Sequence, residues 1–327
     1  MANSSSQVIS IYAEGQRDFS YCQMRSVELA DTRLSAIDLW GCDLARANLS
    51  GSDLGQANLQ GANLQWANCR GTNLQGADLR FARLGEAQLD QADLSGAIAN
   101  RQTEFPPNFE PGAAGVLFLN SKAGLADSDL SRRDLGGVDL SEAELIGACL
   151  VETNLLGAWL AKAQLADADL AGANLRFSDL VGANLQRARL TGSDLRHAVL
   201  DKAILFDADL SGAQLENTSL VGAVCNNQTR WPEGFDYRRA GAYCLGPNQL
   251  LWAADLSDLV LPGLDLSGAR LVGANLAGSD LWGADLRGCD LREACLRDTN
   301  LWGANLTDAN LEGADMESAI LEAARLA

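Results

Sequence analysis

A leucine returns every fifth residue through most of this 327-residue chain, and that period limits the possible folds more than any other feature. Helices recur at 3.5 or 3.6 residues and strands at 2, so a period of five belongs to neither taken alone. Taking the leucine as position i, the spacing holds in three blocks, Phe19 to Ala99, Leu125 to Cys225 and Leu256 to Leu326. Leu fills 47 of the 53 i positions, and Ala, Ser, Thr, Cys or Val fills 48 of the 53 positions at i−2. Position i−1 is Asp 19 times and Asn 12 times, and Gly concentrates at i+2.

Two inward positions and three outward ones per five residues fit a coil that turns a corner at each repeat, and four corners close a square. Leucines then fill the interior, while small residues at i−2 let the walls approach without voids. Glycine at i+2 supplies the positive φ of a tight corner, and Asp or Asn at i−1 can bond nearby backbone groups there. Stacked coils pair as parallel strands about 4.8 Å apart. The spacing predicts a charge at a mid-block leucine such as Leu175 to be intolerable.

Runs such as Ala47-Asn48-Leu49-Ser50-Gly51, Ala168-Asp169-Leu170-Ala171-Gly172 and Ala284-Asp285-Leu286-Arg287-Gly288 resemble the pentapeptide repeat family, over about four-fifths of the chain. The resemblance implies an all-β fold, a right-handed quadrilateral parallel β-helix. The segment Tyr12 to Phe19 is similar to the opening of many cyanobacterial members, in which a short helix caps the first coil, so a helix is expected near residues 5 to 14. The organisation expected is a cap over 1–18, repeat blocks over 19–99, 125–225 and 256–327, and inserts over 100–124 and 226–255.

The inserts are copies of one another at an offset of 126: Asn100 matches Asn226, Thr103 Thr229, Phe105 Trp231, Pro106 Pro232, Phe109 Phe235 and Gly115 Gly241. They are expected to loop out while the three blocks stack as one rod. Their aromatics either fold back on the wall where the register resets or, through Trp231, Phe235 and Tyr237, form a protruding anchor. The resemblance favours the first role.

Residues 20 apart fall in one column of the coil. Trp282 and Trp302 at i+1 form one such pair, with Gly283 and Gly303 beside them and Asp280 and Asn300 at i−1 as a polar rim. Phe177 and His197 at i+2 form another, beside Arg176 and Arg196. Exposed aromatic columns mark interfaces, although the same stacking also stiffens a wall. Trp282, Trp302, Asp280, Asn300, Phe177, His197, Arg176 and Arg196, with Trp231 and Phe235 of the second insert, are the candidate protein-binding groups.

Chemistry has little material. There is one His, and no nucleophile elbow or phosphate loop, so no enzyme activity is expected. The eight cysteines form no CxxC pair or His/Cys cluster, so no metal or cofactor is expected. Five of them, Cys22, Cys42, Cys69, Cys225 and Cys289, occupy inward positions as small hydrophobes. Cys22 and Cys42 fall one coil apart, but in-register parallel side chains have poor torsions for bridging.

With 43 acidic and 25 basic side chains, the formal charge is −18, which argues against binding nucleic acid or anionic lipid. No apolar run approaches membrane-spanning length, and the N-terminus lacks a basic start and apolar core, so cytoplasmic residence is expected. Two functions compete. One is a protein-interaction scaffold or regulator. The other is an acidic DNA mimic binding a type II topoisomerase such as gyrase, as some family members do. A continuous rod of about 13 coils would be roughly 64 Å long, with one net charge per ~3.6 Å against ~1.7 Å in duplex DNA. Arg287, Arg292 and Arg297 at i+1 would add a basic belt. The gyrase-binding members are also typically shorter and lack the duplicated Trp-Pro segment. The scaffold is therefore the favoured reading. The sequence leaves the partner and the oligomeric state open.

Overall fold

The computed structural model describes residues 4–326. It divides into two compact units, Met1–Gly124 and Leu125–Ala327. In both, the coil is built from the same few hydrogen bonds, because the same five residue types recur.

One repeat in the first unit serves for all. Val27 N–H donates to Met24 O at 3.1 Å, closing a four-residue turn whose third residue, Ser26, has φ of 57°. Leu29 N–H then donates to Asn48 O (2.8 Å), Asn48 N–H to Val27 O (2.9 Å) and Asp31 N–H to Ser50 O (2.9 Å), tying each coil to the next. Away from the inserts, residues 20 apart pair in parallel, as in Glu28 with Asn48 and Asn48 with Asn68. Four pentapeptides therefore make one coil, and the backbone groups of each coil are satisfied by its neighbours.

The inward assignment holds at i and i−2. Leu29 through Leu64 and Leu125 through Leu210 are buried almost without exception, as are the alanines two residues before most of them. Each leucine so buried contributes roughly 1.5–3 kcal/mol. Where i−2 carries a hydroxyl, the wall supplies an acceptor: Ser52 Oγ donates to Leu49 O at 2.6 Å and Thr72 Oγ1 to the same carbonyl at 2.8 Å. Cys42 and Cys289 imitate this with Sγ 2.9 Å from Phe19 O and Leu266 O.

Asp and Asn at i−1 do two things. Their Oδ1 accepts the N–H two residues on, as Asp53 does from Gly55 at 3.0 Å. Asn adds a rung between coils, as when Asn73 Nδ2 donates to Asp53 Oδ1 at 2.8 Å and Asn174 Nδ2 to Asn154 Oδ1 at 2.8 Å. The corner residue at i+2 adopts positive φ whether or not it is glycine: Arg46, Trp66, Phe177 and His197 all do so. The ladder of bonds on either side holds them there.

The first unit begins with α1 (Ser5–Ala13), capped by Ser4, whose Oγ accepts Gln7 N–H. Val8 is fully buried, Ile11 and Tyr12 pack on the coil interior, and Tyr12 Oη donates to Ser35 O at 2.7 Å. Nine residues are too few for a stable isolated helix, so the coil end sustains it.

The inserts loop out less than expected. In the first unit, β1 (Ile98–Ala99) pairs in parallel with β2 (Leu117–Phe118), and Glu104 pairs with Arg83. In the second unit, β3 (Val224–Cys225) pairs with β4 (Tyr243–Cys244), and Arg230 pairs with Asp209. Both ends of each insert thus continue the ladder and only the middle leaves it. The reason is the duplicated Thr: Thr103 Oγ1 donates to Leu79 O and Thr229 Oγ1 to Leu205 O, filling the hydroxyl role of i−2. Gly241, at φ of 104°, passes so close that a Cβ would lie 3.0 Å from Val221 Cα; its counterpart Gly115 would meet Ser95 Cα at 3.2 Å. After the second insert the ladder resumes at Leu250, paired with Arg270.

Candidate functional site

On the second unit, Trp282 and Trp302 stand one coil apart at a corner. Their ring centroids are 5.7 Å apart and their planes 13° from parallel. The rings are 49 % and 43 % exposed. Gly283 and Gly303 follow them with positive φ, and a Cβ at either would meet nothing within 4 Å. The space beside the indoles at these corners is open.

Asp280 and Asn300 hold the column rather than fringe it. Asp280 Oδ1 accepts Trp282 N–H at 3.1 Å and Asn300 Nδ2 at 2.8 Å, and Asn300 Oδ1 accepts Trp302 N–H at 3.1 Å. Both side chains are thereby committed to the frame that aims the indoles. Their column continues to Val260 below and Ile320 above, 58 % and 44 % exposed. Sequence reasoning missed these two residues, although the 20-residue spacing was enough to find them. The indoles' own column, two residues on, runs instead to Pro262 and Glu322.

The second candidate group also comes together. Phe177 and His197 stack face to face, with centroids 4.8 Å apart and planes 5° from parallel. Arg176 Cζ lies 5.4 Å above the Phe177 ring. Arg196 grips Asp194 through both Nε (2.8 Å) and Nη2 (2.6 Å), which holds the Asp194 carboxyl below its usual range. Arg176 Nε is left 4.0 Å from the same carboxylate, buried without a hydrogen bond. Neighbouring Leu156 is exposed, and Trp159, 60 % exposed, breaks an aspartate column between Asp139 and Asp179. A Trp at i−1 among aspartates was the overlooked signal.

Trp231 and Phe235 belong to a third group. Trp231 lies between Phe235 (5.5 Å) and Tyr237 (5.4 Å), and all three rings are half-buried. In the first insert, Phe105 stacks on Phe109 at 5.6 Å, and both pack against the core of that unit together with Phe118.

The expected basic belt is absent as a field. Arg287 is bound to Asp285 at 2.5 Å, Arg292 to Asp290 at 2.8 Å, and Arg297 to both Asp315 and Glu317. Aspartate at i−1 and arginine at i+1 of one corner lie within reach of one another, so the first two pairs neutralise locally. Among the described residues no three His, Cys, Asp or Glu side chains stand close enough to share a metal ion, and no helix is long and apolar enough to cross a membrane.

The family profile described as Pentapeptide repeats matches residues 22–61, 57–96, 123–158, 148–187, 183–222, 254–293 and 284–322. The chain belongs to the pentapeptide repeat family, and its fold is the family's right-handed quadrilateral parallel β-helix. No curated protein matches it in sequence. Among solved structures it is similar to HetL, a pentapeptide repeat protein involved in heterocyst differentiation regulation in the cyanobacterium Nostoc sp. strain PCC 7120, at 25% identity over 99% of this chain and 97% of that one, with a TM-score of 0.25. A second pentapeptide repeat protein of Nostoc PCC 7120 is 34% identical over 36% of this chain and 98% of its own, with a TM-score of 0.23. QnrB1, a plasmid-mediated fluoroquinolone resistance protein, is 19% identical over 64% of this chain and 81% of its own, with a TM-score of 0.22.

Proposed function

We propose that this chain is a non-enzymatic, cytoplasmic protein-binding scaffold or regulator that captures its partner on the Trp282–Trp302 column. The observation that carries the reading is the pair of parallel, half-exposed indoles on a backbone fixed by Asp280 and Asn300. Aromatic side chains held rigidly lose little entropy on binding, which is why Trp dominates interface hot spots. Membership of a family built for interaction supports the same reading, as does the presence of a single histidine for acid–base work.

The DNA-mimic alternative is weaker. Mimicry needs carboxylates at phosphate-like intervals, whereas two of the outward columns of the second unit read Asp129, Cys149, Asp169, Arg189, Asp209 and Asp139, Trp159, Asp179, Val199. Affinity capture from native lysate, comparing the intact protein with a Trp282→Ser/Trp302→Ser variant, tests the proposal. A discrete partner retained by the parent and lost by a folded variant supports it, and equal retention by both rejects it.

A further inference from the structure

The second insert brings together a thiol pair that the repeat arithmetic conceals, Cys225 at the end of the preceding block and Cys244 within the insert. Cys225 in β3 and Cys244 in β4 are direct partners in the parallel ladder, although 19 rather than 20 residues separate them. Cys244 is 8 % exposed and lines an open cleft of about 460 Å3 formed with Arg238, Ala242, Tyr243, Asn248, Gln249 and Leu250. Its Sγ lies 3.4 Å from Asn227 Oδ1, to which the thiol donates; an amide turned end for end offers a thiolate its N–H instead.

The other copy of the insert supplies an internal comparison. At the offset of 126, the partners corresponding to Cys225 and Cys244 are Ala99 and Phe118, which pair in the same register. Tyr237 and Arg238 correspond to Pro111 and Gly112. One scaffold therefore exists in this molecule with and without two thiols, a phenol and a guanidinium, so the fold does not require them. Arg238 contacts the Tyr237 ring at 5.5 Å and has no carboxylate within ion-pair distance among the described residues. In a chain whose outward arginines mostly hold aspartates, this leaves a positive charge facing the cleft.

We propose that Cys244 is a site of reversible thiol–disulfide exchange with small disulfides that carry carboxylate groups, with Arg238 receiving the carboxylate. The Cys244 thiolate attacks one sulfur of the small disulfide. A new S–S bond forms to Cys244 as the old one breaks, and the departing thiolate takes a proton from solvent. Cys244 is oxidised, half of the small disulfide is reduced, and a free thiol reverses the step. Cys225 positions the group: its thiol beside Cys244 in the ladder, with the Tyr237 phenol and the charge of Arg238, favours the Cys244 thiolate and lowers that thiol's pKa, while Cys225's own is pushed up. Burial pushes Cys42, Cys69 and Cys289 up to about 12, 12 and 11, so these three are inert near neutrality. The proposal is independent of the Trp282–Trp302 reading.

The test is peptide mapping by mass spectrometry of the intact, reduced protein after brief exposure to iodoacetamide near pH 6.5, then in a separate sample to glutathione disulfide. Cys244 is expected to be alkylated about tenfold faster than the half-exposed Cys149 and Cys295, and to carry the first glutathione adduct. An Arg238→Gln variant should slow reaction with glutathione disulfide while leaving that with the uncharged 2-hydroxyethyl disulfide unchanged. Because the mapping is done on the unmutated chain, it does not depend on any variant folding. Labelling of Cys149 or Cys295 ahead of Cys244, or no glutathione on Cys244, overturns the proposal.

Discussion

Asn300 donates through Nδ2 to Asp280 Oδ1, one coil away, at 2.8 Å, and the same oxygen accepts the backbone N–H of Trp282. The rung works because one partner is a donor. Asn300→Asp would set two carboxylates one coil apart and remove the bond, at a cost of about 1–2 kcal/mol. Chemical denaturation should show this loss, diminishing as salt is added. An unchanged midpoint would mean that the rungs do not contribute to stability.

Aspartates at the corners make the fold acid-sensitive. The hydroxyls of Ser131, Ser211 and Ser257 hold the carboxyls of Asp129, Asp209 and Asp255 below the ordinary value of 3.8. A carboxyl depressed in the folded state adds stability that is fully present above its unfolded pKa and is lost as pH falls through the folded one. Stability should therefore decline as pH drops below about 4. The triple variant Asp129→Asn/Asp209→Asn/Asp255→Asn keeps the Oδ1 acceptors and removes the titration. Its unfolding midpoint should fall less steeply over that range than the parent's, and an identical slope would place the acid sensitivity elsewhere.

Leu175 is fully buried in the second unit, with its N–H bonded to Asp194 O at 2.7 Å. Leu175→Ala should cost about 2–5 kcal/mol through the cavity it leaves. Leu175→Asp should abolish soluble expression, because it buries a carboxylate without a partner. A soluble, cooperatively unfolding Leu175→Asp protein would contradict the inward assignment.

The core was legible in the sequence because packing there is periodic: Leu at i and Ala, Ser or Thr at i−2 are dictated by a four-sided coil of fixed width. The helix Ser5–Ala13 was legible only through resemblance, since its own sequence carries little helical signal. Three features escaped for physical reasons. Neutralisation of Arg287 and Arg292 depends on side-chain reach across a corner, which the column arithmetic ignores. The Cys225–Cys244 pairing was hidden because the insert shortens one interval to 19. Positive φ at residues such as Arg46 and Phe177 is imposed by the flanking ladder against local preference. At the candidate site, the Trp282–Trp302 stacking followed from spacing, whereas the engagement of Asp280 and Asn300 in the frame needed coordinates.

The broken columns also bear on topoisomerases. Asp169 is followed one coil on by Arg189, which bonds back to it at 2.8 Å, so the column does not present the unpaired charges of a phosphate backbone. No inhibition of gyrase supercoiling is expected at micromolar protein. Clear inhibition in that range would restore the DNA-mimic reading.

The most direct test of the account is the affinity of the captured partner for the parent and for the Trp282→Ser/Trp302→Ser variant, measured with the unfolding midpoint of each. The account predicts affinity at least about tenfold weaker, or 1.4 kcal/mol, with stability changed by less than about 2 kcal/mol. A variant that unfolds, or one that binds the partner as tightly as the parent does, would contradict it.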